Sequence, residues 1–471
     1  MANGKKMGLF SLIAIVVGSM IGGGAFNLAT DMAASASAGA IIIGWLITGV
    51  GIITLGLCFQ NLTEKRPDLE GGIFSYATEG FGKFMGFNSA WGYWFSAWLG
   101  NVAYATLLFA SLGYFFPQFE GGQNIASILG ASILLWLVHA LILRGVQSAA
   151  LVNLITTIAK LVPIFFFIIL GIFAFHFETF TADFWGTGNS FHFNEVMAQV
   201  KNTMLVTLWV FIGVEGAVVL SSRAKDKKDV GKATIIGLLG TLAIYILISI
   251  MSIGIMSRPE VAALDSPSLA YVFESVIGKW GAAFINLGLI ISVLGAWLGW
   301  TMLASEIPYL CGKNGLFPKI FAKENKNGAP VHSLWITNGL IQIFLLTFLF
   351  TEQAYNFAFS LASSAILIPY AFSAFYQLKY SLQAKAADRT KNIIIGVIAS
   401  VYTIWMVYAA GLNYLLLTML LYAPGILVFR SIQKDSSAKR IFTFPEIATA
   451  IGFTALAIVA IFQLATGGIS L

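Results

Sequence analysis

Long apolar stretches, separated by short polar connections, recur along almost the whole chain. A helix needs roughly 20 apolar residues to cross the hydrocarbon core of a bilayer, which is about 30 Å thick. About thirteen such stretches predict membrane-spanning helices, near residues 9–33, 39–61, 85–116, 124–143, 147–175, 197–220, 233–256, 276–309, 332–350, 355–378, 393–411, 413–429 and 445–465. The last is the weakest, because Pro445 and Glu446 open it. We therefore expect an all-α polytopic membrane protein.

The composition of the chain supports this interpretation. Hydrophobic residues make up 58% of it and charged residues only 10%, whereas a soluble domain carries roughly 25% charged residues. Lipid can solvate the apolar exterior that such a chain must have. The sequence has no phosphate-binding loop, His-Glu-x-x-His motif, Gly-x-Ser-x-Gly motif or repeated filter. An ATP-driven pump, an enzyme and a channel are therefore disfavoured, and we expect no cofactor, metal site or nucleic-acid partner.

Basic residues are distributed unevenly between the two sides of the predicted spans. In membrane proteins, lysine and arginine accumulate in cytoplasmic loops. With the N-terminus in the cytoplasm, most of them fall on that side, in loops such as 62–84, 221–232 and 312–331. The basic residues on the other side are Lys201, Arg258 and Lys279. We therefore predict a multi-pass protein of the cell (inner) membrane with a cytoplasmic N-terminus.

The first predicted span is interrupted at mid-depth by Gly22, Gly23 and Gly24. Each glycine weakens a helix by about 1 kcal/mol relative to alanine, and a break exposed to lipid would leave backbone groups unpaired. The break is therefore expected to face protein or a cavity. The alternative is a close helix-packing surface, which glycines also provide in membranes.

The sixth span carries Glu215 between Gly213 and Gly216. A buried acid in a span is a functional candidate by default; the alternative is a hydrogen bond that only holds a break in place. Interrupted helices five spans apart are typical of inverted-repeat transporters, which bind substrate near the midplane. We predict a 5+5 inverted-repeat fold with broken helices 1 and 6, divided into a first repeat over 1–175, a second over 176–380, and two or three C-terminal helices over 381–471.

Several short motifs resemble those of the amino acid–polyamine–organocation superfamily, and within it the basic amino acid/polyamine antiporters. The resemblance runs from about residue 8 to residue 430, and its motifs are Ile21 to Phe26, Trp98 to Asn101, Trp209 to Glu215, Gly299 to Thr301 and Gly315 to Pro318. It implies a secondary antiporter that exchanges a cationic amino acid for its decarboxylated or deiminated product. The motifs around Trp98 and Trp300 look most like those of arginine/ornithine exchangers.

The resemblance leaves the substrate pair open. Lysine/cadaverine, histidine/histamine and agmatine/putrescine exchangers are close relatives of the arginine/ornithine exchangers. A proton-coupled permease for amino acid uptake is a further alternative. Family members are often homodimers, and the lipid-facing residues of this chain neither favour nor exclude a dimer.

The resemblance also implies a substrate site at the two breaks. The substrate carboxylate would meet amides around Gly23, which replaces the family's serine, and the ammonium group would meet carbonyls near Ile212. Trp209 would act as a mid-gate, and Trp300 would offer its ring face to a cation. The implied substrate-binding residues are Ile21, Gly22, Gly23, Gly24, Ala97, Asn101, Trp209, Ile212, Trp300 and, by a loose alignment, Ser363. The implied coupling or gating residues are Tyr93, Lys160, Glu215, Glu306 and Tyr370.

Two charged residues at depth need a specific explanation. Lys160 lies near the middle of the fifth span, where a lysine is costly unless it is paired or neutralised. The resemblance implies that its ammonium group replaces a sodium ion beside the first break and can take part in proton coupling; the alternative is a permanent tether between spans. Glu306 follows Trp300 by six residues, about 9 Å along a helix. It is expected to attract the cationic head group or to form part of an inner gate, unless it only pairs with a loop lysine.

Overall fold

The computed structural model describes residues 6–186, 188–350, 354–434 and 442–469. Within these residues the chain forms α-helices and short 3-10 turns, and its β-type pairings are isolated bridges. The α-helices are α1 (Leu9–Met20), α2 (Gly24–Ser35), α3 (Ala38–Lys65), α4 (Ile73–Phe81), α5 (Lys83–Gly113), α6 (Ile125–Leu143), α7 (Val146–Ala174), α8 (Phe177–Thr181), α9 (Phe193–Phe211), α10 (Gly216–Val219), α11 (Lys227–Ile255), α12 (Arg258–Ala262), α13 (Ser268–Ile277), α14 (Lys279–Lys313), α15 (Val331–Thr347), α16 (Ala354–Ala365), α17 (Leu367–Gln383), α18 (Arg389–Ala409), α19 (Leu412–Lys434) and α20 (Phe444–Ala465).

Among the described residues, 10 helices are long and apolar enough to cross a membrane, or 11 when α1 and α2 count as one span bent by 41°. The predicted spans near 197–220 and 332–350 correspond to α9, which has 19 residues but is less apolar, and to α15, which has 17 residues. The last predicted span is α20, whose start is capped by Thr443 and Glu446. A helix is therefore found at every predicted position, and the chain is a multi-pass membrane protein.

The outer helices present apolar side chains to their surroundings. On α6, Leu129, Ile133 and Leu137 are each more than 60% exposed. In the interior, by contrast, Lys160 and Glu215 are fully buried. An apolar exterior around a polar interior is the arrangement that a bilayer requires.

The helices next to the two breaks lie at the centre of the bundle. The long helices α5 and α14 pack against each other, and α7 packs against both α14 and α1. The second break is brought to the first because α9 packs against α2 while α10 packs against α1. The short helix α4 packs against α5 and α17. The walls of the candidate site therefore come from α1, α2, α5, α7, α9, α10 and α14.

Two faces of the bundle can be distinguished by their contacts. On one face, Met7 N donates to Arg223 O at 2.9 Å, and Lys225 N donates to Met7 O at 2.8 Å. We call this the amino-terminal face. On the opposite face, the guanidinium group of Arg258 forms an ion pair with Asp183. Each face thus joins segments that are distant in the sequence.

Candidate functional site

The break between α1 and α2 exposes backbone carbonyl groups that no helical turn satisfies. Side chains from other helices occupy them. Trp300 Nε1, from α14, donates to Ser19 O at 3.0 Å. Tyr245 OH, from α11, lies 2.7 Å from Met20 O. The carbonyl groups of this break are thus held by the surrounding protein.

Lys160 of α7 lies against the same break and is fully buried. Its ammonium group donates to Gly18 O at 2.8 Å and to Ile21 O at 2.6 Å. Ser292 Oγ donates to Ile21 O as well, at 3.1 Å. No ion pair of the described residues includes Lys160. Backbone dipoles rather than an acid therefore stabilise its charge, and its role in place of a sodium ion stays a prediction.

The start of α2 provides amide groups on the other side of this break. Within the described part of the chain, the first amide of α2 with a backbone acceptor is that of Phe26, which donates to Gly23 O at 3.0 Å. The amides of Gly24 and Ala25 precede it and have no intrahelical acceptor. Because the N-terminal end of a helix carries partial positive charge, this position can bind a carboxylate.

The second break separates α9 from α10 and comprises residues 212–215. Gly213 has φ of +111°, a conformation that suits glycine, and a Cβ atom there would lie 2.7 Å from the side chain of Ser19. Ser19 Oγ lies 2.9 Å from Gly213 O. The two breaks are therefore in direct contact.

Glu215 is fully buried at the second break. Its Oε2 accepts hydrogen bonds from Tyr370 OH at 2.5 Å and from Gly213 N at 3.2 Å. Neither its Oε1 nor the Tyr93 hydroxyl makes a well-formed hydrogen bond among the described residues. Tyr93 is nevertheless close enough to interact electrostatically with the carboxylate. Three of the predicted coupling or gating residues, Tyr93, Glu215 and Tyr370, therefore form one buried cluster.

A narrow cavity of about 10 Å³ lies at the breaks. Its lining combines aromatic rings with small residues and consists of Ser96, Gly100, Tyr104, Trp209, Ile212 and Trp300. The ring centroid of Trp300 lies 6.3 Å from that of Tyr93, and the centroid of Trp209 lies 6.4 Å from that of Tyr104. Ligand sites usually measure roughly 300–1,000 Å³, so the side chains around this central cavity must move well apart before it can hold an amino acid.

Not every predicted substrate-binding side chain reaches the central cavity. Trp209, Ile212 and Trp300 line it, whereas Gly24 lines a neighbouring cavity instead. The remaining predicted residues are buried but do not line the central cavity, and they are Ile21, Gly22, Gly23, Ala97, Asn101 and Ser363. Asn101 Nδ2 donates to Thr301 Oγ1 at 3.3 Å, while its Oδ1 has no partner among the described residues. Conversely, the sequence interpretation missed Tyr104, whose position three residues after Asn101 places it on the same face of α5.

Glu306 lies in a cleft that opens on the amino-terminal face. It is only 2% exposed and forms a two-point ion pair with Arg223, with distances of 2.9 Å from Nε to Oε1 and 2.7 Å from Nη2 to Oε2. Its partner is thus a loop arginine and not the loop lysine considered above. At the rim of the same cleft, hydrogen bonds from Arg66 lower the pKa of Asp68 below its ordinary value. The cleft is therefore lined by fixed charges of both signs.

The comparison with known proteins covers both breaks and the central cavity. Residues 7–453 match the profile of the amino acid permease family. The chain belongs to this family. The permease is 49% identical over 452 residues to a protein of Pseudomonas aeruginosa named arginine/ornithine antiporter. The aligned residues cover 94% of this chain and 93% of the relative. The family predicted from the motifs is thereby confirmed.

Two other relatives cover the chain almost as fully. A protein of Latilactobacillus sakei, also named arginine/ornithine antiporter, is 49% identical to the permease over 436 residues, which are 92% of this chain and 91% of the relative. A protein of Chlamydia abortus named arginine/agmatine antiporter is 43% identical over 479 residues and covers 100% of this chain and 99% of its own length.

Proposed function

We propose that this permease is a secondary antiporter of the cell membrane that exchanges arginine for ornithine. The observation that carries the proposal is the contact of two broken helices beside an aromatic cavity. The open amides of α2 suit a carboxylate, and the rings of Trp209 and Trp300 suit a cationic side chain. The names of the Pseudomonas and Latilactobacillus relatives support the same substrate pair.

In the proposed bound state, each end of the substrate has its own partner. The carboxylate binds the amides of Gly24 and Ala25, and the α-ammonium group binds the carbonyl of Ile212 at the end of α9, where the helix dipole favours positive charge. Trp300 receives the distal cation on its ring face, a contact that can reach about 2 kcal/mol when water is excluded. Asn101 Oδ1, which lacks a partner among the described residues, is available to the head group once the cavity widens.

Two groups of side chains serve as the proposed gates. Trp209 and Tyr104 separate the central cavity from the opposite face, and Tyr93, Glu215 and Tyr370 separate it from the amino-terminal face. Transport then requires the pieces of the two broken helices to move between two arrangements around a fixed site. Exchange requires that the bound substrate allows passage between the two arrangements. The empty carrier must not make this passage, because otherwise it would return without a substrate.

We propose that the amino-terminal face is the cytoplasmic face of the cell membrane. The loop that carries Arg223 and Lys225 lies on this face next to Met7, and the cleft there includes Lys313. Accumulation of lysine and arginine on one side is typical of the cytoplasmic side. The opposite face is then the outer face.

A second substrate pair is supported by one observation, the name of the Chlamydia relative, arginine/agmatine antiporter. Agmatine has no carboxylate, so it would leave the amides of α2 without an anion. We therefore expect this permease to bind agmatine more weakly than arginine. Lysine/cadaverine and histidine/histamine exchange are further outcomes of the experiment below.

Counterflow in proteoliposomes tests these alternatives. Vesicles are loaded with unlabelled arginine, ornithine, lysine, histidine, agmatine or buffer, and the uptake of external labelled arginine is followed. Rapid uptake only into vesicles loaded with arginine or ornithine is the expected result. Equal uptake into buffer-loaded vesicles under an imposed proton gradient would contradict exchange and favour a proton-coupled permease.

A further inference from the structure

A second narrow cavity, of about 20 Å³, lies on the outer side of the central cavity and must widen before it can hold a cationic head group. Its lining consists of Gly24, Asn27, Asp31, Ala103, Tyr104, Leu107 and Trp209. Tyr104 and Trp209 line both cavities, so their rings form the partition between the two. A substrate that enters from the outer face would therefore meet this outer cavity before the partition opens.

Asp31 supplies an acidic group to the outer cavity. It lies on α2, seven residues and about 10 Å along the helix after Gly24. Among the described residues, its carboxylate takes part in no ion pair and no hydrogen bond, and only its backbone oxygen accepts one, from Ser35 Oγ. Arg258 donates to the end of α2 at Ala33 O but pairs with Asp183.

Asp31 is partly buried. An acid in that position without a cationic partner is costly in a membrane protein, so a mobile cation that pairs with it gains affinity. The neighbouring rings strengthen this effect, because Trp209 and Tyr104 can stack on a guanidinium or ammonium group. A neutral amino acid of the same size would gain from the rings but not from the charge. The outer cavity therefore has the chemistry of a site that selects cations.

We propose that the outer cavity is a separate entry site for the cationic head group of the substrate, with Asp31 as its specificity-determining residue. This proposal rests on the proposed function, since it assumes a cationic substrate. The head group pairs with Asp31 before Trp209 moves, and it reaches the ring of Trp300 in the central cavity only after that movement. Asp31 then acts on substrate arriving from the outer face and not on substrate arriving from the cytoplasm.

Sided transport assays test the proposal. Right-side-out and everted membrane vesicles that contain the permease are compared for the KM of arginine exchange. Asp31→Asn is expected to raise the KM about tenfold in right-side-out vesicles and to change it little in everted ones. Asp31→Glu, which keeps the charge, should restore most of the affinity. Glu195→Gln removes an exposed acid at the start of α9, outside the cavity, and should behave like the unmodified protein.

Two results would overturn the proposal: an unchanged KM in Asp31→Asn right-side-out vesicles, or an equal rise in both vesicle types. The second would show that Asp31 acts on the central site. A direct binding measurement shows whether the entry site or the proposed exchange function is wrong. Tryptophan fluorescence of the purified protein is titrated with arginine and with its neutral isostere citrulline.

The fluorescence titration is informative even if no arginine/ornithine counterflow occurs. Arginine binding that is weakened about tenfold in Asp31→Asn, with citrulline binding unchanged, would support the entry site. The absence of arginine binding to the unmodified protein, or equal binding to both proteins, would overturn it. If counterflow is absent but arginine still binds and this binding depends on Asp31, only the proposed exchange is refuted.

Discussion

The two broken helices meet at one cavity, but the surrounding protein holds them in different ways. The carbonyl groups of the first break are contacted by side chains from α7, α11 and α14, which are Lys160, Tyr245, Ser292 and Trp300. The second break is held by the carboxylate of Glu215, one oxygen of which has no partner among the described residues. The first break therefore resembles a fixed scaffold, whereas the second has hydrogen bonds that can rearrange.

This difference agrees with the proposed transport cycle. A binding site for a carboxylate must keep its geometry in both conformations, which favours a break with satisfied carbonyl groups. A gate must exchange partners, which favours a carboxylate with spare capacity next to Tyr93, whose hydroxyl is also unpaired. Substitutions that remove donors from each break should therefore have unequal effects.

Replacement of Lys160 should have the largest effect. Lys160→Met removes both donors to Gly18 O and Ile21 O, and an unsatisfied buried acceptor costs roughly 1–3 kcal/mol. We expect arginine/ornithine exchange to fall about 100-fold, together with a lower Tm. Counterflow and thermal unfolding measure the two effects. Lys279→Met, which removes an exposed lysine at the start of α14, is the control and should retain exchange. Normal exchange by Lys160→Met would show that the first break needs no ammonium group.

Removal of a donor from the second break should have a smaller effect. Tyr370→Phe removes the hydrogen bond to Glu215 Oε2, and hydrogen bonds to charged groups contribute roughly 1.5–3 kcal/mol. We expect the exchange rate to fall about tenfold. Tyr114→Phe, which changes an exposed tyrosine at the end of α5 outside the site, is the matched control. This variant should change the exchange rate by no more than about twofold and should keep the Tm of the unmodified protein. Equal losses in the two variants would contradict the assigned roles.

The ion pair between Arg223 and Glu306 should contribute less than either break. The Arg223 side chain is 22% exposed and that of Glu306 only 2%, so the desolvation cost offsets much of the attraction. We expect a net contribution of about 1 kcal/mol, or a factor of about five in rate, while loss of one partner alone leaves a buried charge unpaired. Arg223→Gln, Glu306→Gln and the double variant form a double-mutant cycle for exchange. A double variant no slower than either single variant is the expected result. Additive losses would mean that the pair does not act as a unit.

The sequence predicted the fold better than it predicted the contacts of the site. Length and hydropathy were sufficient to place the helices, because a bilayer imposes one length on every span. The glycines at 22–24 and the acid Glu215 marked the breaks, since each is costly in a membrane helix without a structural reason. The glycines can be interpreted either as a break that faces a cavity or as a close packing surface, and both interpretations apply. Gly23 packs against Leu107, and the adjacent α2 amides remain open.

The contacts missed by the sequence interpretation involve residues that are ordinary in their local context. Tyr104 is one of many aromatic residues on long apolar helices, and only the meeting of α5 with α9 places it beside Trp209. Arg223 lies in a loop with several basic residues, and its pairing with Glu306 depends on the packing of α10 against α14. Pairings between distant segments depend on tertiary structure, which composition and spacing do not encode.

The smallest predicted effect tests how fixed the first break is. A Cβ atom at Gly23 would lie 1.7 Å from Leu107 Cδ2, which is the end of a flexible side chain, so Gly23→Ser requires Leu107 to change rotamer. A hydroxyl at this position would add a hydrogen bond to the substrate carboxylate, worth about 1 kcal/mol. We expect Gly23→Ser alone to leave the KM of arginine within about twofold, because packing strain offsets the new contact. In a Leu107→Ala background, which removes the clash, the same substitution should lower the KM about threefold. An increase in KM in both backgrounds would mean that the amides at the start of α2 cannot tolerate even a small shift. The first break would then be more rigid than its hydrogen bonds alone require.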